Sequence, residues 1–317
     1  MPHRWIRPST AAFIREARRT TDYGLFDLLH GLVYGRWPYL YIGLGTGAHP
    51  LARLKGPAVR LYGLLRPGLA RLAPPVRAEA PPRPNFADTY HGKVLPLAEA
   101  RQLVRVEQSV DLGDLEQIIP YALARRLVLE EPEHIVAMAC PCRAARPDPC
   151  LPLDVCLIVG EPFASFVMEH QPQRARWISQ AEAEGILEAE HVRGHVHHAF
   201  FKDAMLGRFY AICNCCSCCC GALHAHQSGT PMLAASGYAC VVDELLCAAC
   251  GACLEACRFD ALALHGDAVT VDFDRCMGCG ACIDRCATGA LRLEADRRKG
   301  IPLDLRALLA ASRAATP

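Results

Sequence analysis

The spacing of apolar and polar positions divides the chain into helical and extended stretches. Pro96–Val106 reads as a short helix and Asp114–Leu129 as a longer one. In the second, Leu115, Ile118, Ile119 and Ala122 share one face, and Asp114 and Gln117 suit an N-cap and its N3 partner. Pro120 marks a kink or restart there, and Pro132 closes the segment. Ser179-Gln-Ala-Glu182 is a capping box ahead of Ile186-Leu187, which predicts a helix over 180–190. A last helix is expected over Pro302–Ser312. Short apolar runs read as strands: Ile135-Val-Ala-Met-Ala, Cys156-Leu-Ile-Val-Gly, Ala261-Leu-Ala-Leu and Ala268-Val-Thr-Val-Asp. Together these predict an α+β fold.

Charge separates the N-terminal part from the rest. The chain of 317 residues carries a net +1, yet residues 1–77 hold 12 Lys/Arg against 3 Asp/Glu. A basic arm of +9 is thus joined to a body of −8. The arm is rich in aromatics, and Leu25–Leu44 is its most apolar part. Asp27, His30, Arg36 and Pro38 interrupt that part, so it falls short of the ~20 uncharged residues of a spanning helix. A pair of helices packed on the body is the plainest expectation, and peripheral membrane contact through anionic headgroups is the next. Nucleic acid is not favoured. Gly43-Leu-Gly45-Thr-Gly47-Ala48 fits the spacing of a dinucleotide loop, but the acidic residue required ~20 positions on is missing. Residues 73–84, with five prolines, read as a linker.

The cysteines change the picture most. Of nineteen, eight lie in two copies of C-x₂-C-x₂-C-x₃-C: Cys247, Cys250, Cys253 and Cys257, then Cys276, Cys279, Cys282 and Cys286. The copies start 29 residues apart, and 18-residue windows from Cys247 and Cys276 share nine positions. A zinc reading leaves the third and fourth cysteine of each run surplus. No signal peptide opens the sequence and the runs need reduced thiolates, so reducing cytoplasm is expected, with possible membrane association.

On those runs, residues 240–295 resemble a bacterial-type 2[4Fe–4S] ferredoxin domain with all eight ligand positions filled. The resemblance implies two [4Fe–4S] clusters with crossed fourth ligands: Cys247, Cys250, Cys253 and Cys286 on one, Cys276, Cys279, Cys282 and Cys257 on the other. Gly251 and Gly280 are expected where a Cβ would collide with inorganic sulfide. The family's proline after the fourth cysteine is replaced by Arg258 and Ala287. Arg258 would set a guanidinium beside a ligand thiolate.

Two further groups remain. Cys140, Cys142, Cys150 and Cys156 fall within 17 residues, with Pro141, Pro147, Pro149 and Pro152 keeping the intervening loop non-helical. Cys213, Cys215, Cys216, Cys218, Cys219 and Cys220 put six thiols in eight residues, too many for one metal because adjacent side chains diverge. The two groups are expected to share a further metal or redox site, a third Fe–S cluster, a zinc, or a dithiol that collects electrons. His191, His195, His197 and His198 form a cluster better read as hydrogen-bonding than as metal-binding. Cys240 is expected to be a buried residue at a domain entry. The expected organisation is a basic segment and linker (1–84), a Cys-rich α+β domain (85–236), the ferredoxin domain (237–295) and a C-terminal tail (296–317). The function expected is electron transfer to an unidentified redox partner protein. The alternative is a cluster-dependent oxidoreductase that uses Cys213–Cys220 on a disulfide or small substrate.

Overall fold

The computed structural model describes residues 6–21, 23–54, 90–113, 115, 118 and 126–315. The stretch read as a linker lies outside the described residues, as do most of residues 114–125.

An eight-stranded sheet forms the centre. Its strands are β1 (Tyr90–Leu95), β2 (Val110–Leu112), β3 (Leu127–Met138), β4 (Cys156–Glu161), β5 (Ala175–Ile178), β6 (Val196–Lys202), β7 (Arg208–Cys215) and β8 (Leu233–Ala234). They lie in the order β2-β3-β4-β7-β6-β1-β8, and β5 pairs with β3 off this path. Every pair is antiparallel except β1 with β8. All seven residues of β6, Val196-His-His-Ala-Phe-Phe-Lys, are buried. A strand covered on both faces loses the alternation of a half-exposed one, which is why histidines sit there among phenylalanines.

Helices cover both faces. One face, with Val136, Ile158, Phe200 and Tyr210, meets α1 (Pro8–Arg19), α2 (Leu25–Arg36) and α3 (Pro38–Thr46) of the basic arm, together with α6. The intervening helices are α4 (Leu97–Val104), α5 (Pro141–Ala144) and α6 (Phe163–His170). Phe13 packs its ring 6.3 Å from Phe163 and 5.5 Å from Phe166. Gly31 lets α2 lie against the backbone after β6: a Cβ there would stand 2.1 Å from the Ala204 carbonyl oxygen. The other face, with Leu129, Ile135, Leu157, Phe201 and Ile212, meets α4, α7 (Gln180–Val192) and Leu303 and Leu305. Ser179 caps α7 as its sequence predicts, its Oγ accepting from the Glu182 amide at 3.2 Å.

After α8 (Gly221–Gln227) the cysteine repeats fold as a small unit. Its parts are β9 (Tyr238–Val242), α9 (Ala252–Ala256), β10 (Leu262–His265), β11 (Ala268–Val271) and β12 (Leu291–Ala295). β10 pairs with β11 and β12 with β9, both antiparallel. A final helix, α10 (Leu305–Ala315), docks on α4, with Gln102 Oε1 accepting from the Arg306 amide at 3.1 Å.

One element departs from its sequence reading. Leu127–Leu129, expected at the end of a helix, open β3 and pair with Val110–Leu112. Pro132 does not close a segment either. It lies inside β3, where the register with β4 shifts between Glu130 and Ile135 and Glu131 has φ 46°. A proline donates no ladder hydrogen bond, and a bulge is where a strand tolerates one. Cross-strand pairing, invisible in the local pattern, decides this stretch.

Candidate metal and redox centres

The two halves of the cysteine repeat reproduce one backbone path. Left-handed residues occur at Ala249 (φ 51°), Gly251 (75°) and Asp260 (49°), and 29 residues on at Gly278 (65°), Gly280 (82°) and Gly289 (67°). This path turns the loops so that thiols converge. Cys257, Cys276, Cys279 and Cys282 line one small cavity with Phe259, Met277 and Gly280. Cys253 has Cys282, Cys286 and Cys250 as charged neighbours; burial, then those thiols, push its pKa up. Cys279 is pushed upward by burial and by Cys282, Cys257 and Cys276. Cys257, the fourth cysteine of the first run, thus lies with the first three of the second. Four soft sulfur donors around a buried space are the donor set an iron–sulfur cluster takes, and such a cluster, once bound, exchanges single electrons.

At Gly251 φ is 75° and a Cβ would meet no protein atom within 4 Å. One expectation is corrected here: Arg258 does not point at a ligand thiolate. Its Nε donates to Gly194 O (2.8 Å), and its terminal nitrogens to Arg193 O (3.4 Å) and Glu255 O (3.3 Å). Arg285 donates to Val192 O at 2.5 Å. Two guanidinium groups therefore hold the last carbonyls of α7, the electronegative end of a helix. Cys240 is buried, as expected, and its Sγ stands 3.7 Å from that of Cys282.

The two other cysteine groups are brought together, then divided. Cys140 and Cys142 flank the first turn of α5, Cys156 opens β4, Cys213 and Cys215 end β7, and Cys220 caps α8. Cys156 Sγ lies 3.5 Å from Cys213 Sγ, and Cys220 Sγ donates to Cys215 Sγ at 3.0 Å. These six thiols, with Cys216 at the border, line a cavity of about 650 Å³ that also takes in Tyr34, Tyr41, Lys202 and Tyr210. Helices α2 and α3 of the basic arm roof it. Hydrogen bonds from Cys142 and Cys156, helped by Arg143, draw the Cys140 pKa well down, while the same pairing pushes Cys142 and Cys156 up. Burial lowers the Lys202 ammonium to about 8, with Asp203 opposing, and its Nζ sits 5.0 Å from the Tyr34 ring centre. The Tyr34 and Tyr210 hydroxyls bond each other at 2.8 Å.

The remaining four thiols form a second group, which borders the cavity at Cys216. Cys150, Cys216 and Cys218 place their sulfurs within 4.8 Å of one another, and Cys219 Sγ is 3.5 Å from Cys218 Sγ. Between the two sets lies Arg143, 1% exposed, bonding Glu190 and donating to Asn214 O (3.0 Å) and Pro152 O (2.6 Å). Its charge is raised in pKa because Glu190 outweighs the opposing effect of burial. Sequence reasoning passed over Arg143, Glu190, Tyr34, Tyr210 and Lys202. They are scattered along the chain and carry no local signal.

The histidines divide as well. His191 Nε2 donates to Asp284 Oδ2 at 2.6 Å, stacks on His197 (5.5 Å, 19°), and His197 Nδ1 donates to Asn214 Oδ1 at 2.6 Å. Burial lowers His197 to about 4, so the ring is neutral at pH 7. Asp284 lies between Cys282 and Cys286, and Asn214 between Cys213 and Cys215. A continuous polar chain thus joins the ferredoxin-like repeat to the thiol run.

Residues 246–290 match the family model of a 4Fe-4S dicluster domain. No curated protein and no solved structure matches the chain. The dicluster segment makes the chain an iron–sulfur protein suited to electron transfer, set within a larger Cys-rich fold in which no described helix is long and apolar enough to cross a membrane.

Proposed function

We propose that this protein passes electrons from two [4Fe–4S] clusters in its C-terminal domain to a redox site in the six-thiol cavity. One cluster is held by Cys247, Cys250, Cys253 and Cys286, the other by Cys276, Cys279, Cys282 and Cys257. The observation that carries the reading is shared packing: Cys257 and Cys279, with Phe259 and Met277, lie in the same apolar core as Cys140, Cys156, Cys213, Cys215 and Cys220. A low-polarity contact with no intervening solvent favours transfer between the two, because little reorganisation accompanies each electron. The polar chain from Asp284 to Asn214 fixes their relative position. The electron donor is a reduced protein partner, and cytoplasm is the compartment that keeps these thiols reduced.

The test is anaerobic purification with iron and sulfide quantitation, followed by redox titration monitored by electron paramagnetic resonance. About eight irons per chain are expected from the two ferredoxin-type clusters, and about four more if the cavity holds a third. Cys142→Ser should abolish the redox signal of the cavity and leave the eight. Fewer than about four irons in the wild type would defeat the two-cluster reading.

A second reading is favoured by cavity size. About 650 Å³ of largely apolar space is in the range of small-molecule sites. In this reading the clusters deliver two electrons, one each, and with two protons these cleave a bound disulfide into two thiols. Reduction of a small-molecule disulfide by the reduced protein, lost in Cys213→Ser, would support it.

The basic arm is proposed to touch an anionic membrane surface as well. Leu25, Phe26, Leu29, Val33, Trp37 and Leu40 stay 40–78% exposed along α2, α3 and the residue that joins them, in a part of the sequence, residues 1–77, that carries a net +9. Failure of the intact protein to sediment with anionic vesicles at low salt would leave α1–α3 as packing elements only.

A further inference from the structure

We infer that Cys150, Cys216, Cys218 and His195 form a mononuclear zinc site, which adjoins the six-thiol cavity at Cys216 and is distinct from the ferredoxin clusters. Distances distinguish it from a cluster. Three sulfurs within 4.8 Å of one another suit a single tetrahedral ion, whose thiolates stand about 3.8 Å apart at Zn–S bonds of about 2.3 Å. A cubane has to be inserted between its thiolates and holds them farther apart.

The fourth donor comes from the start of β6. His195 Nε2 stands 3.7 Å from Cys150 Sγ, close to the separation of about 3.6 Å for a nitrogen and a sulfur on one zinc. Its other nitrogen, Nδ1, donates to Glu190 Oε2 at 2.6 Å. That bond puts the proton on Nδ1 and turns the Nε2 lone pair to Cys150, the arrangement that orients metal-bound histidines. Glu190 is itself fully buried and held by Arg143, whose Nη2 also lies 3.1 Å from His195 Nδ1, and by Arg193 at 3.0 Å. The buried carboxylate thus holds the imidazole behind Cys150, the thiol of the three that it reaches. Cys218 is exposed and gives an ion a way in.

Four protein donors leave no open position, so the ion is structural. It ties the proline-rich loop after α5 to the end of β7 and the start of β6. This also answers the crowding of thiols in 213–220: alternate sulfurs are assigned to two sites. Cys213, Cys215 and Cys220 face the cavity, Cys218 faces the ion, and Cys216 stands at the border of both. The inference rests on residues that the electron-transfer reading does not use.

The test is the full chain purified anaerobically from zinc-supplemented medium, with zinc and iron measured by mass spectrometry and the zinc shell by X-ray absorption. One zinc per chain is expected, with three sulfurs at about 2.3 Å and one nitrogen at about 2.0 Å. Cys216→Ser and His195→Gln should lose the zinc with iron unchanged, and Glu190→Gln should weaken zinc affinity about 10–100-fold. A shell of four sulfurs, lost in Cys219→Ser and kept in His195→Gln, would overturn the histidine assignment. Zinc at background in a wild type with full iron, or iron lost on Cys216→Ser, would overturn the site. If a variant does not fold, the absorption spectrum of the wild type decides alone, and low iron would count against the electron-transfer reading only.

Discussion

Ala249 and Asp260 occupy left-handed backbone positions that the second half of the repeat gives to Gly278 and Gly289. A side chain there costs about 1–2 kcal/mol, part of which glycine returns as unfolded-chain entropy. Ala249→Gly is therefore expected to stabilise the cluster-loaded protein by about 0.5–1 kcal/mol in chemical unfolding. The reverse change, Gly278→Ala, should destabilise strongly, because its Cβ would meet Tyr238 O at 2.1 Å and Ser236 Oγ at 2.4 Å. Lys93 offers a second test at this scale. Burial in β1 lowers its ammonium from 10.5 to about 7. Between those values the unfolded chain binds the extra proton, so this residue makes stability rise with pH across the window, by up to about 1.4 kcal/mol per unit. Lys93→Met should be more stable than wild type at pH 7, and the gap should close toward pH 10 in urea titrations at the two values.

At the scale of elements, α2 and the end of α7 decide whether the centres are closed and joined. Gly31 sets α2 close against the turn after β6. Gly31→Ala must lift the helix from the Ala204 carbonyl, with an expected cost of about 1–3 kcal/mol and faster proteolysis of the basic arm. At α7 the decisive contacts are made by arginines of the other unit. Arg258 and Arg285 reach three residues, Val192, Arg193 and Gly194, from two directions, and His191 of the same turn bonds Asp284. Replacing both arginines by alanine should leave the iron content and the potentials of the ferredoxin-type clusters in place while slowing the oxidation of those clusters by the cavity site. Rapid-freeze electron paramagnetic resonance would show it; an unchanged rate would mean that apolar packing alone fixes the approach.

Across the whole molecule, how much was readable depends on how local the cause is. The cysteine repeat, the capping box of α7, the strand from Cys156 and the pairing of Leu262–His265 with Ala268–Val271 all rest on neighbours within a few residues, so their pattern stands in the sequence. The stretch at Leu127 misled for the opposite reason: its partners, Val110–Leu112, are supplied by a distant strand. The basic arm had two plain uses in the sequence, and only the fold shows α2 and α3 packed over a thiol-lined cavity.

Spacing by itself determined that eight cysteines form two matching four-thiol runs, because a turn of fixed length dictates which sulfurs converge. It also determined that ten more are too crowded for packing or for one metal. Which of those ten face one another was decided only by the tertiary structure. Cys156 meets Cys213 because β4 lies beside β7, and Cys150 meets Cys216 and Cys218 because a loop after α5 crosses the end of β7. His195 faces them because Glu190, five residues back on a helix, holds its other nitrogen. Sulfur–metal and hydrogen bonds act over about 2–3 Å, and distances that short between remote parts of a chain are set by sheet order and helix packing, which no local pattern of residues records.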